Sequence, residues 1–211
     1  QGIVISDANS LTVKDVKITS DGLIINAISN NAKITLDNAT LQGDVLNQGD
    51  LNIKNSSSVL NITGAGKTNI DTSGKLNVSE LTQNELANYG NLTVNDLKIS
   101  TNASNSGIIT NNGLVSSIQN LTNTGKINGN GNLEISGTSS NIGNISQSII
   151  NVTGVLDNSS GMLTATDKIE NIGSITTAAD KIVATNGIIN DNSLTLTSGN
   201  LSTQISGTGT T

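Results

Sequence analysis

The sequence predicts an all-β parallel β-helix, a solenoid with about 18–21 residues per coil that runs as one domain through residues 1–211. Three observations predict it: a core vocabulary limited to aliphatics, a recurrent Asn-x-Gly-x-aliphatic unit, and very short segments alternating with a period of two.

The hydrophobic share is 34%, nearly all of it Ile, Leu, Val and Ala. The chain has one Tyr (Tyr89), one Met (Met162), and no Phe, Trp, Pro, Cys, His or Arg. Compact domains of this length use aromatics to fill a wide core, so an aliphatic-only core suits a narrow interior. Disorder is disfavoured, because it usually brings Pro, Glu, Lys and high net charge. Here charged residues are 12% and β-branched residues recur throughout.

The repeated unit comes next, since repeats decide such folds. Asn-x-Gly-x-aliphatic occurs at Asn47-Gly49, Asn88-Gly90, Asn105-Gly107, Asn111-Gly113, Asn123-Gly125, Asn141-Gly143 and Asn171-Gly173. With Ser or Thr replacing Asn it recurs at Ser20-Gly22, Thr72-Gly74, Ser159-Gly161, Thr185-Gly187 and Thr197-Gly199. Gly107, Gly125, Gly143 and Gly161 are each 18 residues apart, and Gly22, Gly43 and Gly64 each 21 apart. Gly permits the positive φ of a sharp corner. Asn tolerates that region too, and its amide can bond the Asn of the next rung, as in stacked Asn ladders.

Between the corners lie the alternating segments. Leu11-Thr12-Val13, Val16-Lys17-Ile18, Ile34-Thr35-Leu36, Leu51-Asn52-Ile53, Leu76-Asn77-Val78, Leu92-Thr93-Val94, Leu133-Glu134-Ile135 and Leu194-Thr195-Leu196 send aliphatics inward and polar residues outward. Only residues 80–88 (ELTQNELAN) carry helix-like spacing, expected as a single helical turn or a loop excursion. An antiparallel sandwich would want strands of about five or six residues. At about 19 residues and about 4.8 Å per rung, the chain makes roughly eleven rungs and a rod roughly 50 Å long.

The ladder resembles that of large secreted β-helical exoproteins of the filamentous-haemagglutinin type and, more loosely, autotransporter passenger domains. The best-matching stretches are Leu121 to Ile127, Ile169 to Ile175 and Asn141 to Ile145. The resemblance implies a right-handed β-helix, an extracellular or cell-surface location and adhesion. It implies as partners a host, neighbouring-cell or matrix surface.

Composition narrows the remaining functions. A net charge of −6 with ten scattered Lys does not make the cationic surface a nucleic-acid binder needs. No run of 18 apolar residues forms a membrane-spanning helix. Catalysis without His or Cys falls to carboxylates, Lys, Ser, Thr and Tyr89, and the chain is not expected to be an enzyme. Asp7, Asp15, Asp21, Asp37, Asp44 and Asp50 fall on separate rungs, with Asp15, Asp37 and Asp44 expected nearest one another. No cofactor is expected. Calcium would need carboxylates and turn carbonyls, the Gly-Gly-x-Gly-x-Asp repeat is absent, and Lys168 and Lys181 interleave Asp167, Glu170 and Asp180. Regular Thr arrays of the kind ice binding needs are not evident.

Eleven Asn-x-Ser/Thr sequons, at Asn38, Asn55, Asn61, Asn77, Asn91, Asn102, Asn120, Asn144, Asn151, Asn158 and Asn200, are expected to serve the rungs first and glycosylation second. No signal peptide or atypical cap stands out at either end, so the rod is expected to belong to a longer chain or to stack on itself. The expected role is a structural or adhesive rod, stalk or passenger segment of a secreted or surface-anchored adhesin. The alternative is a self-assembling fibre or surface-layer subunit stacked end to end.

Overall fold

A computed structural model describes residues 33–211 continuously and, before them, only the backbone of the strands Ile3–Ser6, Leu11–Lys14, Lys17–Ile18 and Gly22–Asn26. Every strand pairing it describes is parallel, and each strand pairs with the one a coil later in the chain. This is a parallel β-solenoid of about ten turns and about 18 residues per turn.

Each turn contributes three extended segments, separate short strands in most turns and merged into longer strands in others, and these stack into three faces. The first face carries Leu11–Lys14, Lys33–Asp37, Asp50–Lys54, Lys67–Ile70 and onward to Ser193–Leu196. The second carries Lys17–Ile18, Thr40–Leu41 and onward through Lys126–Asn128 and Asn144–Gln147 to Ile182–Ala184. The third carries Ile3–Ser6, Gly22–Asn26, Asp44–Asn47 and onward through Asn132–Ile135 to Ile205–Ser206.

The expected alternation holds. Ile34, Leu36, Leu51, Ile53, Leu92, Leu133, Ile135 and Leu194 are all buried in one aliphatic core, with Leu196 packed at its edge. The triangular interior is filled by three to five aliphatic side chains per rung, as with Ile34, Leu36, Ala39, Leu41 and Val45 in one and Ala103, Ile109 and Ile118 in another, which is why no aromatic is required. Of the segments Leu11 to Val13 and Val16 to Ile18, only the backbone of Leu11–Lys14 and Lys17–Ile18 is described, and Val16 lies outside the described residues.

Two expectations need correction. Residues 80–88 form no helical turn. They belong to Lys75–Asn88, a strand that bends through two corners and pairs with Asn91–Asn105, Glu80 opposite Asp96 and Glu85 opposite Asn102. Its apparent helical spacing arises at those corners. There two neighbouring residues both face out, which shifts the period-two pattern by one, and the register slips between Gln83 and Glu85. The 21-residue spacing of Gly22, Gly43 and Gly64 is also not the rung period. Gly22 lies opposite Asp44, and Gly64 sits over Asn47 rather than Gly43. From residue 33 onward paired residues are 16 to 19 apart, from Lys75 with Asn91 to Ser174 with Ser193. The 18-residue series is structural: a Cβ on Gly125 would strike the Gly107 carbonyl, and one on Gly143 the Gly125 carbonyl.

Candidate functional site: asparagine corners and an axial groove

The Asn-x-Gly units occupy all three corners, not one. Asn88, Asn105, Asn123 and Asn141 share the corner between the first and second faces and form a single ladder. Asn88 Nδ2 donates to Asn105 Oδ1 at 2.7 Å, Asn105 to Asn123 at 2.7 Å, Asn123 to Asn141 at 2.7 Å, and Asn141 to Asn158 at 2.5 Å. Asn158 closes the series by donating to Thr177 Oγ1 at 2.9 Å. Each amide also reaches the backbone across the corner, as Asn105 does to the Lys126 carbonyl at 3.2 Å. All five asparagines are essentially inaccessible to solvent. A buried amide is stabilised when its hydrogen bonds are made, and here the column satisfies itself from Asn105 onward.

Gly90, Gly107, Gly125 and Gly143 complete this corner. Each brings its backbone against the carbonyl of the glycine below, where any Cβ would collide. The pair Asn171-Gly173 lies instead at the corner between the third and first faces, where Asn171 donates to Asn190 Oδ1 at 2.8 Å.

Asn47-Gly49 and Asn111-Gly113 build a different device. The rung above Asn47 places Gly64 (φ +117°) over it, and the rung above Asn111 places Gly129 (φ +128°) there. Neither glycine has a side chain, so each asparagine reaches two rungs: Asn47 to Gln83 Oε1 at 2.6 Å and Asn111 to Gln147 Oε1 at 2.8 Å. Gly207 (φ +111°) sits over Asn190 in the same way. Gln83, Gln147, Asn158, Thr177 and Asn190 were not singled out by the motif. The readable signal for the glutamines was a Gly-x-Gly (Gly64-Ala65-Gly66, Gly129-Asn130-Gly131) between Asn and Gln spaced 36 residues apart.

Two ladders begin on an unanswered acceptor. Asn88 Oδ1 and Asn171 Oδ1 are buried without a hydrogen-bond partner. The rungs preceding them present Ile70 and Val152 at the matching positions.

The acidic residues are dispersed. Asp37 accepts from Asn55 on the first face and Asp44 from Asn61 on the third, so they are not neighbours; Asp7, Asp15 and Asp21 lie outside the described residues. Lys168 pairs with Glu170 at 2.7 Å, which raises the Lys168 pKa, while Asp167 accepts from Asn186. The Ser159 amide holds the Asp157 carboxyl below its ordinary pKa. Among the described residues no group of three or more Asp and Glu is placed to hold a metal ion, and no helix is long and apolar enough to cross a membrane. Of the sequons, Asn158 is buried in the ladder, whereas Asn77, Asn102 and Asn144 face outward.

A surface groove of about 470 Å3 runs between the second and third faces. Ser56–Thr63, Lys75–Asn88 and Asn91–Asn105 pass this corner without a turn, which leaves a continuous channel across the rungs. One wall is Thr40, Ser58, Asn77 and Thr93; the other is Gln42, Leu60, Ser79 and Asn95; Val59 and Val78 lie at the floor.

No family model matches the chain, and neither a curated protein nor a solved structure is similar to it at a significant level.

Proposed function

We propose that this chain is a structural and adhesive rod, a stalk or passenger segment of a secreted or surface-anchored adhesin. The observation that supports the reading is the in-register asparagine column through Asn88, Asn105, Asn123, Asn141 and Asn158. It assigns the residues that dominate the composition to holding successive rungs together. A stacked solenoid is a stiff spacer, because each rung contacts only its neighbours and stability adds along the axis. The resemblance to filamentous-haemagglutinin-type exoproteins points the same way. With Tyr89 the one aromatic, contact with another surface is polar, shallow and repeated along the rod.

The test is retention. Beads coated with the purified chain are passed over cultured epithelial cells and extracellular matrix, beside beads coated with an unrelated protein of similar net charge. Retention several-fold above that control is expected. Equal retention on every surface would overturn the adhesive role.

A further inference from the structure

We infer that the groove between the second and third faces is a binding site for a linear, uncharged polysaccharide lying parallel to the solenoid axis. The inference deepens the adhesive reading above and rests on it.

The chemistry of the walls carries the argument. Thr40, Ser58, Asn77 and Thr93 on one side, and Gln42, Ser79 and Asn95 on the other, offer only neutral hydroxyl and amide groups. These both donate and accept hydrogen bonds, which matches the hydroxyl groups of a sugar. Leu60, nearly half exposed, supplies apolar contact for the C–H face of a sugar ring, while Val59 and Val78 beneath the groove are buried in the core and shape its floor. No Lys, Asp or Glu lines the groove.

Geometry adds a second constraint. The wall groups repeat once per rung, about every 4.8 Å. That interval is close to one sugar unit of an extended chain, so each rung meets an equivalent set of ligand hydroxyls. The groove is also bounded. Beyond Asn95 the next rung turns the corner through Asn111 and Gly113, and Gly113 packs directly on the Asn95 carbonyl and against Asp96. The continuous channel stops there.

Charge selects within the class. Beside the second wall runs a column with Asp44, Asn61, Glu80 and Asp96, Glu80 directly opposite Asp96. Closely spaced carboxylates repel an anionic polymer. A uronic-acid or sulfated chain is therefore rejected, and a neutral one is accepted.

Affinity electrophoresis of the whole chain tests this, with hydroxyethyl cellulose, a linear mannan and polygalacturonate cast separately into native gels. Retardation by a neutral gel and none by polygalacturonate is expected. Ser58→Arg and Ser79→Arg fill the channel at outward-facing positions and are expected to weaken retardation at least about tenfold. Thr176→Arg, on the outer side of the first face, adds the same charge and is expected to leave retardation unchanged. Circular dichroism checks each fold, and an Asn77→Ala/Thr93→Ala double variant replaces either arginine variant that unfolds. No retardation of the parent chain by either neutral polymer, or retardation that survives the groove variants, overturns the inference. Absence of gel retardation by the neutral polymers together with intact cell retention would overturn the groove while leaving the adhesive rod standing.

Discussion

At the scale of single residues, an asparagine's position in a ladder determines what it contributes. Asn123 donates to Asn141 and receives from Asn105. Asn123→Ala removes both bonds and leaves a buried amide donor and a buried acceptor unanswered, at about 1–3 kcal/mol for each orphaned group. Asn102, exposed on the first face, should change stability by no more than about 0.5 kcal/mol as Ala. Urea titration of the two variants reads this contrast directly.

The unanswered acceptor of Asn88 gives a sharper case. Ile70 and Ile53 are both fully buried and occupy the same column, yet only Ile70 lies below Asn88. Ile70→Asn lengthens the ladder and supplies the missing donor. Ile53→Asn places an amide under Ile70, where nothing accepts it. Both lose aliphatic burial, so the urea midpoint should fall in each, but distinctly less for Ile70→Asn. Equal losses would show that the ladder does not select its own members.

At the scale of the element, the corners decide the rung. Gly125 has no room for a Cβ between its own backbone and the Gly107 carbonyl. Gly125→Ala must push two rungs apart, and the protection of the amides of Lys126 and Asn144, which bond the Gly107 and Gly125 carbonyls at 2.9 Å, should fall first. Hydrogen exchange resolved by residue measures it. Loss spread evenly over all rungs would contradict a local corner.

Much of this element was legible in the sequence. The period-two aliphatics named the inward residues, and Asn123-x-Gly125-x-Ile127 named a corner and the strand after it. Which corner was not legible, because Asn47, Asn111 and Asn141 carry the same local pattern yet stand at three different corners. Only the register from rung to rung separates them. Lys75–Asn88 was hidden for a related reason: a strand bending without a turn has no glycine to mark it. The axial groove was unreadable too, since Ser58, Ser79 and Asn95 meet only once three coils are stacked.

At the scale of the whole molecule, nearest-neighbour stacking makes turns removable units. Deleting residues 91–107 joins Gly90 to Ile108 and keeps a glycine before an aliphatic strand. It also lets Asn88 meet Asn123 in place of Asn105. Such a variant should fold cooperatively and shorten the rod by about 4.8 Å. Deleting residues 91–99 removes half a turn, brings unlike faces into register and should abolish cooperative unfolding.

The fold also sets how the rod meets its surroundings. An open solenoid end presents unpaired strand edges that readily recruit another copy, so a segment of an adhesin and a subunit of a fibre differ in what those edges do in solution. Electron microscopy of the purified chain distinguishes them and tests the central claim most directly. Isolated, straight rods roughly 50 Å long, about ten rungs at about 4.8 Å each, are the predicted result. Long filaments of constant width would contradict the segment reading, and compact particles of no consistent axis would contradict the rod itself.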